Sequence, residues 1–200
     1  MSEERDSCVQ EFAAYHVVTS RPMQVGQRIH FDRAHPNGVF HRVKEKEEDV
    51  RQIKAHPEEW REKELPHHTM VALRELALEE VRVARFPDLP SRLHCLYVSG
   101  QMEQAEKWAR WFVDWGREVL QIVKLSIWGR RFLGNANLCF SAGVDHEKNL
   151  LLAEKYWAVA PDPTGELPIW EELVDGDITV MEILWEKRKR RSRKHGEFDF

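Results

Sequence analysis

Ile169-Trp-Glu-Glu-Leu-Val-Asp-Gly-Asp-Ile-Thr-Val-Met-Glu-Ile183 is the stretch on which the reading of this chain turns. A pair of carboxylates is followed by a short apolar step, a tight turn at Asp175-Gly176-Asp177, and a strand from Ile178 to Ile183. Ile178, Val180 and Glu182 alternate with Thr179, Met181 and Ile183, which predicts a strand buried on both faces. A carboxylate delivered to the start of such a strand has a fixed direction and a partly desolvated setting, as a catalytic acid requires. Taken alone, the same pair also reads as a turn cap. Neighbouring residues of an extended chain point to opposite faces, so only one of Glu171 and Glu172 should enter a site, and Glu172 is the expected one.

Two more short strands stand upstream. Ala14-Tyr-His-Val-Val-Thr19 is β-rich and breaks at Ser20-Arg-Pro22. Ser91-Arg-Leu-His-Cys-Leu-Tyr-Val-Ser99 ends at Gly100 and feeds a Trp-rich helix, Glu103 to Trp115. His16 can be a donor and acceptor within its strand, or a core histidine satisfied by backbone. Tyr97 and Ser99 share a strand face, and Trp108 can bring a second flat ring toward Tyr97 to make a slot for a planar heterocycle, the plain alternative being aromatic core.

The remaining elements suit an α+β chain without alternating βαβ units. Extended segments are predicted at Gly26–Phe31 and Gly38–Val43, joined through the turn signal Asn37-Gly38. A charged surface helix interrupted near Pro57 follows, then a clear helix over 69–85 whose apolar stripe has charges opposite it. Further strands fall over 119–127 and around Phe132, and another helix over 149–158.

Composition narrows the classes. Hydrophobic content of 42% with eight Trp and nine Phe argues for a folded core. No apolar run reaches the ~18 residues of a membrane helix, and the charged first residues do not read as a secretion signal. Cys8, Cys95 and Cys139 form neither a disulfide framework nor a metal-binding pair, which fits a reducing cytoplasm. His67-His68 lacks metal-site spacing, so no metal is expected. Lys187, Arg188, Lys189, Arg190, Arg191, Arg193 and Lys194 concentrate seven positive charges, so the net −4 hides a body of about −11. That basic stretch could meet nucleic acid, or the acidic face of its own body.

His, Tyr and Glu, each on a short strand and in that order, resemble the ADP-ribosyltransferase fold in its His-Tyr-Glu form. Diphtheria-toxin-like enzymes, poly-ADP-ribose polymerases and RNA 2′-phosphotransferases share that form. Tyr15-His16-Val-Val-Thr19 looks like its opening strand, Leu96-Tyr97-Val98 like its middle strand, and Glu172-Leu-Val-Asp-Gly-Asp-Ile-Thr-Val is similar to its final Glu-Val-Leu-(Leu/Ile)-Pro-Pro-Gly pattern. Trp108 falls where the polymerase branch carries a second stacking aromatic. The whole chain also resembles a bacterial family of uncharacterised cytoplasmic proteins.

The resemblance implies a single split-sheet domain over 12–186, mixed or antiparallel with flanking helices, between an N-terminal extension (1–11) and a basic tail (187–200). It implies NAD as substrate and cleavage of the nicotinamide–ribose bond, with transfer of ADP-ribose to an unknown protein or nucleic-acid acceptor, or to water. His16 would bind the adenosine-side ribose, with Thr19 and Ser99 beside the cofactor. Tyr97 and Trp108 would stack on nicotinamide, and Glu172 would bind the ribose 2′-hydroxyl and stabilise developing positive charge. One departure is Val17, where the family carries Gly after the His. It motivates the alternative of a non-catalytic nucleotide- or nucleic-acid-binding module on the same fold.

Overall fold

Gly129 and Gly176 meet backbone to backbone, and the chain crosses itself there in a way that splits its strands into two sheets. The computed structural model describes residues 9–187. Strand β4 (Gln121–Gly129) continues into β5 (Arg131–Asn135) through Arg130 alone, and β6 (Trp170–Val174) continues into β7 (Gly176–Glu186) through Asp175 alone. β4 pairs with β7 and β5 pairs with β6, so both strands of the ribbon change sheets at one corner. Arg130 N donates to Asp175 Oδ1 at 3.1 Å, and the Arg130 guanidinium grips the same carboxylate, which closes the corner with charge-assisted bonds.

The first sheet adds β1 (Gln10–Val18) and β2 (Arg28–Phe31), in the order β1-β4-β7-β2. The second adds β3 (Leu96–Val98), in the order β3-β6-β5. Every pairing within them is antiparallel. The facing surfaces bury Ala14, Val18, Leu96, Val98, Val123, Leu125, Ile127, Val174, Ile178 and Val180 as one core. The outer face of the second sheet packs Phe132 and Leu173 against α3 (His67–Arg85) and α5 (His146–Trp157) through Leu78, Val81, Tyr156 and Trp157. Helix α4 (Met102–Asp114) covers β1, with Ala105 buried beside Val17. Two shorter helices, α1 (Gly38–Lys44) and α2 (Glu47–Ala55), lean on α3. The architecture is therefore α+β, as the order of elements predicted, with two antiparallel sheets and five α-helices among the described residues.

Three expectations are corrected. Gly38–Val43 is not extended: Asn37 accepts from Val39 N and Phe40 N at 2.9 and 3.2 Å and so caps α1. Its amide also donates to the carbonyls of Arg92 and Cys95, so Asn-Gly starts a helix here instead of turning a hairpin. Strand β7 is buried on one face only: Ile178 and Val180 lie in the core while Met181 is 53% exposed. Finally, β1 begins at Gln10, already paired with Gly129, so the domain reaches past the boundary expected at residue 12.

Candidate functional site

β1 and β3 touch at one place and then part. Tyr15 and Ser99 exchange both backbone hydrogen bonds, at 2.9 and 2.8 Å, and form an isolated bridge between the two sheets. Beside it His16, on the β1 face that also carries Ala14 and Val18, reaches across the gap with Nδ1 2.8 Å from the Tyr97 carbonyl. A carbonyl only accepts, so Nδ1 carries the proton and Nε2 is left as an acceptor. Burial lowers the His16 pKa and the bond to Tyr97 only partly offsets it, so the ring is neutral at physiological pH.

That assignment has a measurable consequence. A histidine held neutral in the fold and free to protonate when unfolded contributes stability that is complete above the unfolded value of 6.5 and declines as pH falls below it. Melting temperatures of the protein should therefore drop between pH 6.5 and 5 by more than those of His16→Asn, whose amide can still donate to Tyr97. Parallel melting curves for the two proteins over that range would contradict a neutral His16.

Where the strands part there is a cavity of about 650 Å³, a size that suits a small organic ligand. His16, Thr19, Tyr97, Ser99 and Trp108 all line it, together with Phe112 and Trp115 of the α4 region. Trp108 spends its indole N–H on the Trp170 carbonyl at 3.0 Å, which fixes the ring plane. Tyr97 donates to the Arg92 carbonyl at 3.3 Å, and burial holds its hydroxyl protonated. Val17 also borders the cavity, with its side chain packed against Ala105, Val119 and Ile122 on the opposite face of β1 from His16.

Glu75 of α3 lines the cavity, and of the neighbouring pair it is Glu171, not the expected Glu172, that lines it as well. Both lie within β6, on opposite faces. Register decides between them: Tyr97 pairs with Leu173, so Glu171 shares the face of Tyr97 and Leu173, whereas Glu172 pairs with Val98 and shares the inter-sheet face. Glu172 is 2% exposed, 3.1 Å from Arg131 Nε, with Oε1 poorly aligned for a hydrogen bond. Burial raises its pKa against the pull of Arg131.

Glu171 belongs to a buried ionic network. Its Oε1 pairs with Arg92 Nη1 and accepts from the Tyr156 hydroxyl at 2.8 Å. Arg92 Nε donates to Glu75 at 2.8 Å, and Arg74 donates to Glu75 at 3.0 Å. Two cations thus balance two anions. Burial penalises the charge on Glu75, yet Arg92 and Arg74 outweigh it and hold the carboxyl below its ordinary range. The Cys139 thiol beside Glu171 is pushed up to about 12 by burial and stays an uncharged donor. The sequence reading missed this network because Glu75 falls on the buried side of α3 and Arg92 lies in the loop before β3. The usable signal was an acid inside the apolar stripe itself, between Leu73 and Leu76.

The family described as "Protein of unknown function (DUF2441)" matches residues 14–186. The chain belongs to the DUF2441 family. The matched span runs from within β1 to the last residue of β7, so it takes in every residue that lines the cavity. Comparison with curated proteins gives no match. The basic run expected to meet nucleic acid falls almost entirely outside the described residues. Its first member, Lys187, is engaged by Glu118 at 2.5 Å. No helix among the described residues is long and apolar enough to cross a membrane.

Proposed function

We propose that the cleft binds NAD and opens its nicotinamide–ribose bond, which makes the protein an ADP-ribosyltransferase-like enzyme acting as a transferase or NAD glycohydrolase. One observation carries the reading: His16, Thr19, Tyr97, Ser99 and Trp108, from three separate elements, meet in one cavity where two antiparallel sheets diverge, with a carboxylate of β6 beside them. The split antiparallel architecture supports the resemblance noted in the sequence. In this reading His16 Nε2 accepts a ribose hydroxyl, and the ring faces of Tyr97 and Trp108 bracket the nicotinamide.

Glu171 takes the role that the resemblance implied for Glu172. As the C1′–nitrogen bond opens, its electron pair leaves with nicotinamide and positive charge develops on the ribose. A fixed carboxylate favours that charge more in the transition state than in the ground state. Water, or an acceptor hydroxyl or amine, then attacks C1′ and releases its proton to solvent, whereas an acceptor carboxylate attacks as the anion. Arg92 and Tyr156 fix the direction of Glu171.

The same contacts favour a second reading, a non-catalytic nucleotide-binding module, because they occupy the oxygen that catalysis would use. Incubation with millimolar NAD separates the two. The enzyme releases nicotinamide at a rate proportional to protein. The module binds NAD, with quenching of the cleft tryptophans, and releases none. Absence of both binding and release would overturn the NAD assignment.

A further inference from the structure

The cavity contains two kinds of arginine. Arg74 and Arg92, at its buried end, are each matched to a carboxylate. Arg42, in the last turn of α1, and Arg117, just beyond α4, line the same cavity at its exposed end. Neither forms an ion pair with a carboxylate among the described residues. Arg117 is held in place: it donates to Thr19 Oγ1 at 3.0 Å and its guanidinium lies 4.5 Å from the Phe112 ring centre. The Arg42 side chain makes no hydrogen bond to another described residue. Desolvation first, and then the charge of Arg42, lower the Arg117 pKa, yet a guanidinium remains a cation across the physiological range. Two uncompensated positive charges therefore face one concave space in a chain whose body is otherwise acidic.

We propose that Arg42 and Arg117 form an anion-binding station at the mouth of the cleft that takes the diphosphate of a small nucleotide ligand. Guanidinium groups donate in a fixed fork that matches phosphate oxygens, and two of them suit two linked phosphates better than one. The Thr19 hydroxyl, fixed by Arg117, stands beside them. The surrounding charge decides the class of ligand: a compact anion at the exposed end of the concave site meets these two unpaired guanidinium groups, whereas an extended polyanion must cross the acidic body. The placement also orders the ligand along the cleft, with diphosphate at the exposed end and the ring toward Tyr97. This station rests on the nucleotide reading for its fit but makes a separate prediction.

Inorganic pyrophosphate is the probe, titrated calorimetrically into the full chain. It should bind the wild type, and Arg42→Gln and Arg117→Gln should each weaken it by about tenfold or more, with melting temperatures recorded alongside. Arg42→Gln is the deciding variant, since it removes no internal hydrogen bond. Arg117→Lys should recover only part of the loss, because it restores charge without the fork. No pyrophosphate binding, or binding indifferent to Arg42→Gln, would overturn the station. So would a single-stranded oligonucleotide that competes as well as pyrophosphate. Nicotinamide release reports separately on the enzyme. Pyrophosphate binding without NAD turnover leaves the station and removes the activity, whereas turnover with an unchanged KM in Arg42→Gln removes the station and leaves the activity.

Discussion

Glu171→Gln will lower nicotinamide release from NAD by about 10²–10³-fold, the usual cost of removing one electrostatic partner of a transition state, while Glu172→Gln will leave it within a few-fold of wild type. The two residues are neighbours in β6, both nearly fully buried, and differ only in the face they occupy. Glu171 lies in the cavity with Tyr97; Glu172 lies on the inter-sheet face beside Arg131. Glutamine is isosteric, so Glu171→Gln keeps an oxygen for Tyr156 and leaves Arg92 its pair with Glu75. A stability loss of about 1–3 kcal/mol is expected from weakening one bond to a buried charge, small enough for the fold to survive. Glu172→Gln moves stability the other way. Its folded pKa is raised, so ionisation is harder in the fold than in the unfolded chain, and the carboxylate subtracts stability once pH rises past the unfolded value of 4.5. The amide variant should melt at or above the wild-type temperature at pH 7 and lose that advantage near pH 4. Steady-state release assays with melting curves on both variants check the pair. Loss of activity in Glu172→Gln alone would place the chemistry on the other face of β6.

That reversal shows where the sequence is readable and where it is not. His16, Thr19, Tyr97, Ser99 and Trp108 could be found because β1 and β3 are bounded by Pro22 and Gly100, and because the α4 stripe has a clear helical period. The phase of β6 has no such marker. Leu173 and Val174 are both completely buried, one against the helices and one between the sheets, so alternation of polar and apolar residues does not say which carboxylate faces which way. Only the partner strand settles it, through Tyr97 opposite Leu173. Helix α1 was hidden for a similar reason. Asn37-Gly38 is a turn signal locally, and the carbonyls that hold the Asn37 side chain belong to residues 92 and 95, far along the chain. Arg42 was masked with it, since its placement on the cleft follows from α1 being a helix. The ionic network of Glu75, Arg92 and Glu171 likewise joins three distant segments, none of which betrays the others by spacing.

Alanine at Gly129 or Gly176 will cost on the order of 3–5 kcal/mol, at the upper end of single-residue effects, and lower the melting temperature by about 10 °C or more for a chain of this length. A Cβ on Gly129 would overlap the Asp175 carbonyl oxygen and lie 2.8 Å from its carbon; one on Gly176 would overlap the Trp128 carbonyl and lie 2.9 Å from the Gly129 Cα. These neighbours are backbone, so no rotamer change relieves the clash. The corner must open, and with it the ion pair of Arg130 and Asp175 and the inter-sheet core that Ile127, Val174 and Ile178 form on either side. Gly176 adds a second cost, because its φ of +87° is one that L side chains rarely adopt. Gly26 and Gly143 separate the contributions. Gly26 has φ +82° and open space around the missing Cβ, so Gly26→Ala isolates the backbone term at about 1–2 kcal/mol. Gly143 also has open space, with no positive φ, and Gly143→Ala should be close to neutral. The expected order of destabilisation is Gly176 at or above Gly129, then Gly26, then Gly143. A Gly129→Ala protein that melts within about 2 °C of wild type would mean that the crossing is looser than the geometry requires.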